Sequence, residues 1–386
     1  MASGKKTDLG KVMVIGGCGF LGHHIVHLLV RDYTASVSVI DLRCTRNRRP
    51  DSDGVQYIDA DITDASKLVS IFDEVRPDVV IHTASPAPQA SSNIADELFK
   101  KVNVDGTQTI VDVCKKTGVK ALVYTSSASV VSDNVHDLIN ADERWPIPRG
   151  KDQTEYYSET KACQAPNEAL GQGDEAAAEE IVLKANRSDN SKFLTTAIRP
   201  AGIVGEGDTM ALHHIINAYR TGKSGVQLGD NNNLFDFTYV ENVAHAHLLA
   251  ARALLLTHAA ATQPLDHERV DGEAFFVTND SPTYFWDFCR VIWNAAGSPH
   301  GKGHVWVIPR DVGIVLGFLS EVFFGIIGKP PTFNRQRCIY SCMTRYFCID
   351  KAKSRLGYKP IISLEEGLRR SVKWTMEQQA AGNPKQ

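Results

Sequence analysis

Tyr157 and Lys161 stand four residues apart in EYYSETKACQAPNEALGQG, residues 155–173. At that spacing two side chains share one face of a helix, one turn apart. A free tyrosine hydroxyl loses its proton near pH ~10. A neighbouring ammonium favours the phenolate and lowers that value. The phenolate can then take the proton of an alcohol while hydride leaves its carbon. A hydroxyl from elsewhere must orient the alcohol oxygen. YTSSASVV, residues 124–131, offers one at the end of a strand-like run, with Ser127 best placed. Capping and turn bonding are the alternative uses of Ser126, Ser127 and Ser129. A second Tyr–Lys pair, Tyr219 and Lys223, has its lysine just after Gly222 at a helix end and reads as chance spacing. Tyr156 is five residues from Lys161 and out of register.

Hydride needs an acceptor, and the amino-terminal segment supplies a place for one. GGCGFLG follows the first strand-like run and puts Gly16, Gly19 and Gly22 in a GxxGxxG spacing, with Phe20 and Leu21 between the last two. Glycines there let the backbone turn tightly and approach a pyrophosphate, which the free N–H groups of the next helix then face. The motif lies between a strand and a helix, the context it requires. Asp41 ends the second strand, nineteen residues after Gly22. A carboxylate there accepts from ribose hydroxyls and repels a 2′-phosphate, which favours NAD. Arg43, Arg46, Arg48 and Arg49 follow directly and leave NADP open, with a solvated basic loop as the other reading.

These groups need a scaffold that brings strand ends together. The runs 11–16, 36–41, 55–59, 78–84, 120–127, 193–200 and 273–279 are short, apolar and bounded by turn residues. Strands buried on both faces of a parallel sheet read this way. Helical stretches alternate with them through the first half, predicting a doubly wound α/β sheet. The expected division is residues 1–200 as the dinucleotide-binding part. Residues 201–386 form mainly a smaller substrate lobe, with some segments returning to the first part. A length of 386 residues suffices for both lobes. A net charge of -3 gives no electrostatic footprint for nucleic acid. Eight scattered cysteines form no CxxC pair, so zinc is not expected. No signal-peptide h-region precedes the first strand, and the thiols are expected to be reduced. His23–His24, His213–His214 and His245/His247 read as structural or exposed, with no metal assigned.

GGCGFLG, ADITD (60–64), HTASP (82–86), VNVDGT (102–107), YTSSASVV, YYSETKA, AIRPAGIVGEGD and FDFTYVENVAHAH occur in an order that resembles the extended short-chain dehydrogenases/reductases along nearly the whole chain. HTAS is similar to the 3β-hydroxysteroid dehydrogenase branch. DLINADERWPIPRG, EAFFVTNDSPTYFWDF, KPPTFNRQRC and YSCMTRYFCIDKAKSRLGYKP resemble its decarboxylating members that act on sterol 4α-carboxylates in fungi. The resemblance implies a Rossmann core and oxidation of a 3β-hydroxyl beside a 4α-carboxylate, with loss of carbon dioxide, in sterol C4 demethylation. It implies Tyr157 as base, Lys161 as ribose ligand and tuner of the tyrosine, and Ser127 as donor to the substrate oxygen. Asp61 and Ile62 would contact adenine. Thr83, Ala84 and Ser85 would line the cofactor path, and Pro200 to Ile203 would approach the nicotinamide. Asn103 matches a mid-helix asparagine of the family. The resemblance also implies a sterol substrate, a homodimer, association with other C4-demethylation enzymes, and the cytosolic face of the endoplasmic reticulum membrane. Other readings are a 3β-hydroxysteroid dehydrogenase/isomerase without carboxylate specificity, a nucleotide-sugar epimerase, or a non-catalytic NAD(P)-binding module.

Two stretches depart from a simple pattern. Residues 163–176 separate YSETKA from AEEIVLKAN, two pieces that run on as one helix in the resembling family, and Pro166, Gly171 and Gly173 oppose helix there. The segment is either a surface excursion, with helix resuming near Glu175, or translated non-coding sequence. DVGIVLGFLSEVFFGIIGK, residues 311–329, is apolar over a length close to the roughly 20 residues that span a bilayer. Glu321 in its middle is costly for a span. A peripheral interfacial segment over 311–328 and a buried or substrate-covering helix are the other readings.

Overall fold

The short apolar runs become the strands of one parallel sheet. A computed structural model describes residues 6–86, 97–148, 178–298, 305–329, 331 and 333–381. The first half supplies β1 (Thr7–Ile15), β2 (Tyr33–Asp41), β3 (Gln56–Asp59), β4 (Val79–His82), β5 (Ala121–Thr125), β6 (Leu138–Ala141) and β7 (Leu194–Pro200). The second half supplies β8 (Gly202–Val204), β9 (Val226–Leu228), β10 (Leu234–Phe235), β11 (Phe237–Tyr239), β12 (Ala274–Val277), β13 (Thr283–Tyr284), β14 (Trp306–Ile308) and β15 (Arg345–Phe347). Seven of them form the main sheet in the order β12-β7-β5-β4-β1-β2-β3, every pair parallel.

Alternate residues of β1 feed opposite cores, as the two-residue repeat of a strand demands. Val12 and Val14 join Val39, Val79, Ile81 and Val123 on one face, and Met13 and Ile15 join Ile40, Val80, Leu122 and Tyr124 on the other. The first face is covered by α1 (Phe20–Asp32), the second by α2 (Ala65–Val75), α3 (Gly106–Thr117) and α4 (Ala178–Lys184). The long helix α6 (Val240–Ala259), which follows α5 (Ala211–Arg220) in the second half, returns to pack beside α1. Strand β12 also returns and closes the sheet's edge next to β7.

The remaining segments build a smaller layer on strands β13-β10-β15-β6 and the pairs β11-β8 and β14-β9. Its core joins Phe235, Phe237 and Met343 to residues of α5, of α7 (Phe285–Ala295) and of the C-terminal helix 364–380. The rings of Phe237 and Phe288 stack at 3.5 Å, 4° from parallel.

Two elements differ from expectation. The stretch 98–118 is not one uninterrupted α-helix: Lys100–Asp105 is π-helical and leads into α3. Such turns recur where a helix carries a functional side chain, and this one holds Asn103 in a buried position. The apolar stretch 311–329 forms α8 (Arg310–Ile326), which packs on α9 (Arg335–Cys342). Its only buried residues are Gly313 and Gly317. A Cβ on Gly317 would lie 2.6 Å from the Arg335 nitrogen, so glycine is what lets α9 approach. Glu321 accepts from the Arg335 backbone N–H and Nε, both at 2.8 Å, which accounts for a carboxylate amid apolar residues. Leu319, Phe323 and Ile326 are 56, 60 and 80% exposed. That exposure overturns the buried-helix reading. The spanning reading is overturned too: among the described residues, no helix is long and apolar enough to cross a membrane.

Candidate active site along the carboxyl edge of the sheet

Parallel strands put all their carboxyl ends on one edge, and the loops leaving that edge carry the residues singled out above. Across the sheet, Pro200 ends β7, Ser127 lies two residues past β5, Thr83 one past β4, Gly16 one past β1, Asp41 ends β2 and Asp61 lies two past β3. The described candidates thus line one edge in the order a bound dinucleotide would meet them.

The glycine loop is tight enough to need its glycines. Gly16 has φ +82° and its N–H donates to Ile40 O at 2.7 Å. A Cβ there would lie 2.7 Å from the Ala84 nitrogen, and one on Gly22 would lie 2.1 Å from Gly16 O. Gly19 caps α1, Phe20 is its first residue, and Leu21 is buried beneath the loop. The α1 amino end has no side-chain cap hydrogen bond, so no capping side chain competes there with a pyrophosphate. These residues fit a dinucleotide.

Asp41 accepts from the Cys18 N–H at 3.1 Å, which fixes its carboxylate against the loop. Arg49 is held by Asp53 at 2.8 Å, and Arg48 lies 4.7 Å over the Tyr57 ring. Arg43 and Arg46 are exposed. Asp61 is exposed and accepts from the Thr63 N–H and hydroxyl at 2.9 and 2.8 Å, bonds that hold its carboxyl below the usual range. Ile62 is buried, with its side chain where a Cβ on Gly106 would stand. Thr83 donates its hydroxyl to Ile15 O at 2.9 Å, tying β4 to β1. Ser85 donates to Pro86 O at 3.3 Å. Ile203 is half-buried in β8, opposite Thr238.

Ser127 is extended and caps the short 3₁₀ turn Ala128–Val131. Its Oγ accepts from the Ser129 N–H at 3.1 Å, so the hydroxyl proton remains available to donate outward. The Ser126 hydroxyl is buried without a hydrogen-bond partner among the described residues. Just before them, Thr125 is joined to His247 of α6 at 2.7 Å. Tyr157, Lys161 and the segment 163–176 lie outside the described residues. After them, α4 is pinned to β7 by Arg199, whose Nε and Nη2 reach Glu179 at 2.9 and 2.6 Å in a fully buried pair.

The sequence reading missed Arg345. It sits on β15, 6% exposed, and donates to the Ser129 hydroxyl at 2.8 Å and the Ser132 hydroxyl at 3.5 Å. An arginine inside the apolar run MTRYF was the available signal. His24 is buried on Glu206 O at 2.9 Å, His213 and His214 are exposed, and the described cysteines are unbridged. Tyr219 donates to Gly297 O at 3.0 Å, away from the carboxyl edge of the main sheet.

The model of the 3-beta hydroxysteroid dehydrogenase/isomerase family matches residues 13–310. Sterol-4-alpha-carboxylate 3-dehydrogenase, decarboxylating, of Saccharomyces cerevisiae is 40% identical over 96% of this chain and 99% of its own. The protein of that name from Homo sapiens is 35% identical over 93% of this chain and 86% of its own. Among solved structures, UDP-glucose 4-epimerase from Thermotoga maritima superposes with a TM-score of 0.66 at 21% identity, covering 96% of this chain and 99% of that one. The last likeness bears on the fold alone. Sheet order, glycine loop, family match and full-length relatives agree: the chain belongs to the 3-beta hydroxysteroid dehydrogenase/isomerase family.

Proposed function

We propose that this chain oxidises the 3β-hydroxyl of a 4α-carboxysterol with NAD and that the product loses its carboxyl group as carbon dioxide. The observation that carries the reading is the joint presence of the glycine-bound carboxyl edge and full-length relatives named for this reaction. Bound nicotinamide supplies an acceptor for the hydride from C3. Ser127 donates to the substrate oxygen, and Tyr157, lowered by Lys161, takes the hydroxyl proton. The resulting ketone is β to the carboxylate. Breaking the bond between C4 and the carboxyl carbon leaves its electron pair as an enolate on that ketone, and C4 then gains a proton. No metal is needed for either step.

Gly16, Gly19 and Gly22 hold the pyrophosphate, and Asp41 takes the ribose hydroxyls, which selects NAD over NADP. Asp61 and Ile62 flank adenine. Thr83, Ala84, Ser85 and Asn103 line the path, with Pro200 and Ile203 near the nicotinamide. Residues 1–200 are mainly the cofactor part and the remainder mainly the substrate part. The exposed apolar face of α8 lies in a membrane interface, where a sterol substrate resides. That supports a peripheral enzyme on the cytosolic face of the endoplasmic reticulum.

The test is a steady-state assay with a 4α-carboxy-3β-hydroxysterol and NAD, following reduced cofactor and carbon dioxide together. Equal amounts of both are expected. Reduced cofactor without carbon dioxide would point to a plain 3β-hydroxysteroid dehydrogenase. Absence of both, from folded NAD-binding protein, would refute the reading.

A further inference from the structure

The turn between α4 and β7 gathers cations at the amino edge of the main sheet, opposite the edge that carries Ser127. The Arg187 N–H donates to Phe193 O at 2.9 Å and closes this turn. Arg187 and Lys192 line a cavity of about 210 Å³ together with Leu194, Thr257, His258 and Thr262. Leu194 starts β7, and Thr257 and His258 lie in the last turn of α6. The cavity therefore sits between the sheet and the carboxyl end of that helix. Its donors are left over by the fold. Arg187 commits Nε to the buried Asp271 at 2.7 Å, and among the described residues neither Nη1 nor Nη2 is bonded. Lys192 is exposed and has neither a hydrogen bond nor an ion pair among them. No acidic residue lines this cavity among the described residues. The nearby Lys115 and Lys120 are, by contrast, matched by Asp189 and Asp78, both at 2.6 Å.

His258 reports the field in this cavity. It is half-buried, and burial, followed by the charges of Lys120, Lys192 and Arg187, holds its imidazole below the ordinary value. The carboxyl end of a helix attracts cations, which accounts for their gathering at α6. It gives no oxygen to Lys192 or to the Arg187 Nη groups. The same helix end opposes an anion, so a singly charged ion gains little there and a dianion is favoured.

We propose that this cavity binds a phosphate dianion, as the free ion or as the end of a small phosphoester, on Arg187, Lys192 and His258. The planar guanidinium meets two phosphate oxygens through parallel N–H bonds, and the ammonium acts as a point charge. The Thr257 and Thr262 hydroxyls add neutral donors. One water needs about 10–15 Å³ of such space, so a polyatomic anion has room. The bound ion joins the start of β7 to the end of α6, the helix whose His247 holds the other end of β5. It is separate from the cofactor cradle at Gly16, Gly19 and Gly22, which lies on the opposite edge. A dianion beside His258 favours the imidazolium, so binding takes up a proton and tightens as pH falls. The remaining charges around His258 are Lys120 with its partner Asp78, and Asp8 of β1, which line an adjoining cavity that His258 also walls. Lysine and aspartate side chains ordinarily titrate well outside pH ~6–7.5.

The test is calorimetric titration of NAD-saturated protein with inorganic phosphate, glycerol 3-phosphate and sulfate at constant ionic strength. Saturation with NAD keeps these anions out of the pyrophosphate cradle. Saturable binding of one anion per chain is expected, weakened about tenfold or more in Lys192→Gln, the size of a lost charged hydrogen bond. Lys192 holds no other group, so thermal melting of that variant without added anion should match wild type. Sulfate stays a dianion throughout, so its affinity should rise as pH is lowered from ~7.5 to ~6 in wild type and stay level in His258→Gln. Tighter binding of glycerol 3-phosphate would mark an ester as the occupant, and tighter binding of inorganic phosphate the free ion; either supports the site. Absence of saturable binding to wild type, or equal affinity in wild type and Lys192→Gln, overturns the inference. A level sulfate profile in wild type overturns the part given to His258. The activity proposed above stands in each case, since none of its steps uses this cavity.

Discussion

Thr125 and His247 are joined by a 2.7 Å hydrogen bond that ties the carboxyl end of β5 to the helix α6. The other ring nitrogen, Nδ1, lies 2.8 Å from Val243 O and must donate to it, so Nε2 accepts and the threonine hydroxyl donates. The strand end that carries Ser127 is therefore held by a neutral imidazole from the second half of the chain.

Burial pulls His247 down to about 4. Its unfolded value is near ~6.5, so the unfolded chain binds the proton more readily. The stability this group contributes is complete above pH ~6.5 and is lost as pH falls towards the folded value, to a limit of about 3 kcal/mol. Denaturant midpoints at pH 7.5 and 4.5 should differ more in wild type than in His247→Gln, which cannot titrate. Equal differences would show that the imidazole stays uncharged in the unfolded chain or does not govern this limb.

Deletion of residues 163–176 is expected to preserve or raise activity. The helix after the segment, α4, has its own anchors: the Glu179–Arg199 pair and the Thr195 hydroxyl on Val182 O at 2.6 Å. Glu179→Ala, which breaks a buried pair, should by contrast cost about 3–5 kcal/mol. A folded but inactive deletion variant would show that the segment belongs to the working enzyme.

Leu319 and Phe323 on α8 project into solvent. Replacing both by aspartate should reduce co-sedimentation with phospholipid vesicles at least tenfold, to judge by about 1.5–3 kcal/mol for burying each large apolar side chain, and leave thermal melting unchanged. If wild-type protein stays off vesicles with and without anionic lipid, the interfacial assignment of α8 is wrong.

Asp41→Asn removes the charge that repels a 2′-phosphate while keeping an oxygen for the Cys18 N–H. NADP use, measured as the ratio of kcat/KM for NADP to that for NAD, should rise by about tenfold or more. An unchanged ratio would place cofactor selection elsewhere, with Arg43 and Arg46 the next residues to change.

Much of this was written in local sequence. The inner strands of the main sheet read as short apolar runs because both of their faces are buried, and Gly16 and Gly22 read as a loop because no side chain fits there. What stayed hidden depends on residues far apart in the chain. The exposure of α8 follows from its packing on α9 through two glycines, which apolar composition alone does not reveal. The pairing of Arg345 with Ser129 spans 216 positions, and no spacing rule reaches that far. The π-helical turn at Asn103 left no mark in the apolar pattern, since a single wider turn shifts the pattern by only one residue.

Strand β12 has a consequence for how the chain is made. It covers the outer edge of β7 with residues 274–277, some 74 positions downstream of Pro200. On the ribosome, the N–H and C=O groups on that outer edge of β7 wait unpaired until β12 emerges, roughly 4–15 s at ordinary elongation rates. An open edge of this kind invites pairing with other chains. Nascent protein is thus most exposed to aggregation in the interval when it looks nearly complete, and synthesis stalled between residues 200 and 274 would yield a chain that carries the cofactor loop yet cannot close its sheet.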